Sequence, residues 1–249
     1  MTEFLTAQAP KIAAQVSALL AKFGKANELT VEQAAIVDAV LKQINFDEWT
    51  VLADELQPAI EQIAKMHGMA ALAQVGVDVE TNPEVVNVVN EKAVAYASQR
   101  SAELVGMKYN AAGELVKNPN AEMVISESTR EFVRADVETA MREGWTNKEL
   151  ADNLVDNYAF SENRAGMIAR TETSFAANEG AMESYRASGV VEGKIWLTAD
   201  DELVDEEICA ANGGQGEIGL DDDFESGDHA PPAHPNCRCS IAPVVNFND

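Results

Sequence analysis

The sequence predicts an α+β fold: an all-helical N-terminal region followed by a mixed domain with long helices and a small C-terminal sheet. Three observations predict it. Apolar residues recur at helical spacing through most of the chain before Gly189. The apolar fraction is 46%, but aromatics are only 6%, and Ala and Val dominate; that composition suits close-packed helices better than an aromatic-rich sandwich. After Gly189 the pattern breaks into short β-like runs between Gly- and Asp-rich stretches. At 249 residues the chain suits one large domain or two modest ones.

The helices are read in order. "APKIAAQVSALLAKFG" has helical spacing and a stop at Gly24. Thr30 is positioned to cap "VEQAAIVDAVLKQI", with Glu32 and Gln33 in its first turn. Asp47 is the cap for "EWTVLADELQPAIEQIAKM", where Pro58 predicts a kink or break. Gly68 and Gly76 flank a weaker segment, "MAALAQV". Asn82-Pro83 is a cleaner start, with Pro at the first helical position. Val85, Val89, Ala93, Ala97 and Leu104 then follow one face to Gly106.

"MKYNAAGELVKNPN" reads as a turn-rich connector and places the domain boundary. It divides a helical arm, 1–117, from a second domain, 118–249. In the second domain Pro119 opens a helical segment stopped by Gly144, Thr146 caps "NKELADNLVDNY", and Ser161 caps a long helix ending at Gly189. "VVEGKIWLTA" and "CRCSIAPVV" read as strands, and "NGGQGEIGLDDDFESGD" as a solvated, mobile loop.

Charge narrows the function classes. The net charge is −24, and residues 119–249 carry 27 of the 42 acids with 9 of the 18 bases. Such a surface repels phosphate backbones and anionic lipid, so direct DNA binding is disfavoured. No apolar run reaches the ~20 residues that span a bilayer. The first residues lack the basic and apolar pattern of a secretory leader, so a cytosolic protein is expected.

Candidate chemistry gathers late in the chain. Of three Cys and three His, His234, Cys237 and Cys239 fall within "APPAHPNCRCSIAPV". Alternation along a strand puts the two thiols on one side and Arg238 on the other. With Cys209 they make four ligands of zinc type, although Asn212 stands where a second Cys of an upstream pair would fall. A disulfide from Cys209 across about 28 residues would contribute roughly 3–4 kcal/mol. Free core thiols are the third reading. Between Asp200 and Asp228 there are 12 acids and no base, without the ligand order of an EF-hand. No P-loop, dinucleotide fingerprint, H-E-x-x-H or G-x-S-x-G occurs, so no catalytic residue is assigned. His229 and His234 beside the acidic loop keep a metal-dependent hydrolase or nuclease as the alternative.

On the Ser161 helix, Ala165, Ile168, Ala169, Phe175, Ala176 and Met182 share one face, and Arg170, Ser174 and Asn178 lie roughly opposite. Glu172 interrupts the apolar face. A buried carboxylate needs a cation or several donors. An Arg from the C-terminal segment, Arg238, is the expected partner, with Arg164 and Arg186 as others.

The blocks Arg170-Thr171-Glu172, Asn178, Trp196 and His234-Pro235-Asn236-Cys237-Arg238-Cys239, in that order, resemble the phage Mu F-like head morphogenesis family over roughly 119–245. The resemblance implies a non-enzymatic minor capsid protein, present in few copies. It implies association with the portal and other capsid components during head assembly, with DNA packaging or ejection, inside the virion. It also implies that the late Cys pair works with an upstream pair, here reduced to Cys209, so that His234 is the substitute ligand for a structural zinc. Arg170, Glu172, Asn178, Trp196 and Arg238 are then structural, with Arg238 and the thiols tying the last strand to the long helix. Residues 1–117 are expected to make the portal or scaffold contact.

Overall fold

A computed structural model describes residues 1–21 and 31–245, with backbone only at 31–34 and 147. The expected stop at Gly24, the Thr30 cap and the roles of Glu32 and Gln33 lie outside the described residues and side chains. The fold is helix-dominated α+β, with two small sheets. It comprises two compact units, and each takes sequence from both sides of residue 118. Residues 1–53 and 102–166 form one; 54–101 and 167–249 form the other.

The first unit holds α1 (Thr2–Leu20) and α2 (Val31–Gln43). The next helix, α3 (Val51–Gln74), enters the second unit, and α4 (Pro83–Glu103) returns from it. Leu5, Ala9, Ile12 and Val16 form the buried face of α1, which packs on α6 (Asn147–Val155). The expected connector is a hairpin of β1 (Met107–Tyr109) and β2 (Leu115–Lys117). Its partners alternate over three pairs, too few for a periodic signal in the sequence.

Helix α5 (Ile125–Glu143) starts six residues after Pro119 and buries Thr129, Val133, Val137 and Ala140 at helical spacing. It stops at Gly144, whose φ of 72° closes the helix as expected. Thr146 then forms a full capping box with Glu149 at the start of α6. Arg164 is buried and donates to the carbonyls of Ala159 and Ile125 and to Ser128 Oγ. Burial pulls its guanidinium down to about 10.

Pro58 does not break α3; the helix runs through it, preceded by a short 3-10 turn at Asp47–Thr50. Pro58, the eighth residue of α3, lies at the start of its third turn, where the lost N–H is a local cost that the rest of the helix outweighs. Gly68 also lies inside α3.

In the second unit α7 (Glu162–Ser188) runs beside α3, and two glycines allow the approach. A Cβ on Gly180 would sit 2.1 Å from the Ala64 carbonyl oxygen. At Gly68 it would meet Val89 Cγ1 at 2.7 Å, and Ser184 Oγ donates to the Gly68 carbonyl at 2.8 Å. The sheet has the order β4-β3-β5, all antiparallel: β3 is Val191–Leu197, β4 Glu217–Gly219 and β5 Ser240–Val245. Met182, Tyr185, Trp196, Phe224 and Ile241 fill the core between sheet and helix. The stretch expected as a solvated loop instead contains the end of α8 (Cys209–Gln215) and all of β4.

Candidate functional site

The C-terminal strap from His234 to Ile241 is held against α7 by side-chain to backbone hydrogen bonds. Asn236 has a φ of 62°, a left-handed conformation that Asn tolerates. Its N–H donates to Thr171 Oγ1 at 3.0 Å. Its Oδ1 accepts from Arg170 Nε and Nη2, at 3.1 and 2.9 Å. Five residues on, the Ile241 N–H donates to Asn178 Oδ1 at 3.0 Å, while Asn178 Nδ2 donates to the Ser174 carbonyl. Arg170, Thr171, Ser174 and Asn178 lie on one face of α7, and the strap runs along it, beside Met182 in the core.

Two expectations are corrected here. Arg238 does not tie the strap to α7: its guanidinium is exposed and engages Asp201. Nor does the C-terminal segment supply the partner of Glu172. That partner is Arg100 of α4, through two parallel bonds of 2.8 Å, Nε to Oε2 and Nη2 to Oε1. Arg100 also stacks over Phe175, 4.7 Å from the ring centre. Arg164 and Arg186 are committed elsewhere. The buried position of Glu172, read from the helix wheel, is as expected. Its partner was not visible because it sits 72 residues away on another helix.

The strap turns at His234–Cys237, where the Cys237 N–H donates to the His234 carbonyl. The turn brings the His ring and Cys237 to Cys209, at the start of α8. Cys209 Sγ lies 3.2 Å from His234 Nε2 and 3.6 Å from Cys237 Sγ. The three donor atoms all lie within 4.8 Å of one another, the one such trio among the described residues. Cys239 is buried beside them, its sulfur interacting with those of Cys209 and Cys237. The three thiols are unbridged. Burial pushes the Cys209 and Cys239 thiols up, so each sulfur keeps its proton unless a cation replaces it.

This donor set suits a small soft cation. A tetrahedral zinc with Zn–S near 2.3 Å and Zn–N near 2.0–2.1 Å spaces its donors about 3.5–3.8 Å apart. The gaps of 3.2 and 3.6 Å are close to that. His234 is already oriented for it. Its Nδ1 lies 3.0 Å from the Pro235 carbonyl, an oxygen that only accepts, so Nδ1 carries the proton and the lone pair of Nε2 faces Cys209.

The other late histidine is elsewhere in chemical terms. His229 faces Lys194 Nζ and Arg186 Nη2, cations that repel a metal, and its Nδ1 is 3.1 Å from Asp223 Oδ1. The acidic run is used as structure. Asp221 pairs with Arg186, Asp201 with Arg238, and Asp205 Oδ1 accepts from the N–H groups of Glu207 and Ile208 ahead of α8. Asn212, fully buried, donates to Ser226 Oγ. Trp196 is buried edge-on to Phe224, with ring centres 5.2 Å apart, and pairs with Ile241 across the sheet.

Sequence reading missed Arg100, Asp201 and Lys194, and it offered Arg186 to Glu172 instead of to Asp221. Lys194 had a signal: a Lys in the middle of an apolar strand.

Residues 131–242 match the family model described as Phage Mu protein F like protein. Over those residues the chain is similar to that family. The match takes in α7, β3, α8, the acidic run and the strap, with every residue of the thiol–imidazole cluster. No curated protein and no solved structure matches the chain. Among the described residues no helix is long and apolar enough to cross a membrane.

Proposed function

We propose that this chain is a phage head protein, a low-copy virion component that works at the portal vertex during head assembly and DNA packaging or ejection. In this reading Cys209, His234, Cys237 and Cys239 hold a structural zinc, and Arg170, Glu172, Asn178, Trp196 and Arg238 maintain the frame around it. The observation that carries it is the convergence of His234 and the thiols, with the imidazole pre-oriented by a backbone carbonyl. Four soft donors leave no open coordination position, which favours a clasp over a reactive centre. The capsid and portal assignment is supported by the family match over residues 131–242. The net charge of −24 suits a protein that shares a shell with packaged DNA without adhering to it.

The portal contact is assigned to the surface of residues 1–117. The test is co-purification of the full chain with the portal protein, together with elemental analysis. One zinc per chain, co-elution with the portal and no chelator-sensitive cleavage of DNA or peptide bonds is the expected set. Zinc with chelator-sensitive turnover would instead establish the hydrolase alternative. Co-elution with the major capsid protein and not the portal removes the portal assignment.

A further inference from the structure

Within the second unit a cleft of about 580 Å³ opens between α3, α7 and the strap. Its walls are small: Ala70 and Ala71 from α3, Ala169, Ala177 and Ala181 from α7. Its charge runs against the rest of the molecule. The chain carries 42 acids against 18 Lys and Arg, yet no Asp or Glu lines this cleft, while His67, Arg170 and Arg238 do. Arg238 is neutralised by Asp201. Arg170 is not neutralised: its hydrogen bonds go to the uncharged amide oxygen of Asn236, and no carboxylate pairs with it among the described residues. An exposed guanidinium at the mouth of an alanine-lined cleft is complementary to a short apolar stretch ending in, or flanked by, a carboxylate.

We propose that this cleft is a docking site for a peptide segment of a partner protein, with small apolar side chains against the alanines and one carboxylate on Arg170. The alanine walls favour small side chains, and the Arg170 guanidinium disfavours a basic segment. The cleft adjoins the proposed zinc clasp, since Cys237 and Cys239 also line it, and it needs the strap in place.

The test uses the full chain and two pools of labelled octapeptides built from Ala, Ser and Val. One pool carries a single Glu and the other a single Lys. Binding is read by fluorescence anisotropy at low and high salt. The Glu pool is expected to bind about tenfold more tightly than the Lys pool, the size of one charge-assisted hydrogen bond, and to weaken as salt rises. Arg170→Gln should erase the difference between pools. Ala70→Phe, at an exposed position on the rim, should abolish binding of both while circular dichroism and melting stay as in the parent. Equal binding of the two pools, or binding indifferent to Ala70→Phe, overturns the proposal. So does uptake of a single-stranded oligonucleotide in place of either pool, or a concentration-dependent dimer that Ala70→Phe dissolves. If Arg170→Gln loosens the strap, the Ala70→Phe result still decides.

Discussion

Glu172 and Arg100 are each about one-tenth exposed, and each satisfies the other with two bonds of 2.8 Å. Desolvating both charges is costly, and the bidentate geometry repays it only while both partners are present. Glu172→Gln should therefore cost about 3–5 kcal/mol, seen as a lower urea midpoint, because it strands a buried guanidinium. The double variant Arg100→Met, Glu172→Leu should recover most of that loss. Equal destabilisation by single and double variants would show that the pair adds net stability. Lys194 is the second buried charge: fully buried, it donates to the His229 carbonyl at 2.7 Å, with Arg186 and the carboxylates Asp221, Asp222 and Asp223 around it. Burial, helped by Arg186, pulls its ammonium down to about 8. The unfolded lysine holds its proton up to about 10.4. Between those two values the unfolded chain binds more protons than the folded one, so this contribution to stability grows as pH rises. Urea unfolding at pH 7.5 and 9.5 should show the folded state gaining more in the parent than in Lys194→Met. At this scale the sequence was half legible. The wheel placed Glu172 inside, because position on a helix is periodic; its partner depends on which helices meet, which periodicity does not encode.

Helix ends were the most legible elements. Thr146, Asn82-Pro83, Ser161, Gly144 and Gly189 mark boundaries through local chemistry: a side-chain acceptor, a fixed φ or a left-handed stop. Thr146→Ala should cost about 1 kcal/mol, since it removes the acceptor for the Glu149 N–H. That loss reads out as a small fall in melting temperature. Short elements were not legible. The β1–β2 hairpin and β4 have three residues per strand, and α8 is a seven-residue helix containing two glycines. These form because neighbours complete them: β3 supplies the hydrogen bonds of β4, and Cys209 and Asn212 of α8 are anchored in the core. Gly68, read as the edge of a weaker segment, misled in the same way, and Gly180 gave no signal of its role. Inside a helix each looks like a weak point, yet contact between helices requires it. Gly180→Ala should destabilise by about 1–3 kcal/mol or more, because the new methyl meets the Ala64 backbone, which cannot rotate away. A melting temperature equal to the parent's would mean that α3 and α7 separate without cost.

Across the molecule, charge and late cysteines told more than composition. The acidic bias in residues 119–249 is visible in the sequence, but its use is not: Asp201 and Asp221 pair with guanidinium groups, and Asp223 lies against the His229 ring, partners that only the fold brings near. The grouping of Cys209 with His234 and Cys237 was legible as a donor list. The carbonyl behind His234 was not, since it depends on the turn at Pro235–Cys237. The zinc proposal makes a prediction that separates the two units. A structural metal binds the folded state, so its removal subtracts binding free energy from whatever part of the fold creates the site. All four donors belong to the second unit, together with β5 and the strap bonds to Asn178 and Thr171. Dialysis against a strong chelator should therefore raise hydrogen exchange first in residues 209–215 and 234–245. Protection in α1, α5 and α6 should be retained, and zinc should restore the parent pattern where magnesium does not. His234→Ala should reproduce the chelated pattern without chelator, because it removes one ligand of the four. Exchange unchanged by chelator in a protein shown to contain zinc would place the metal elsewhere, leaving His234 and the three cysteines as a packed, metal-free corner of the core.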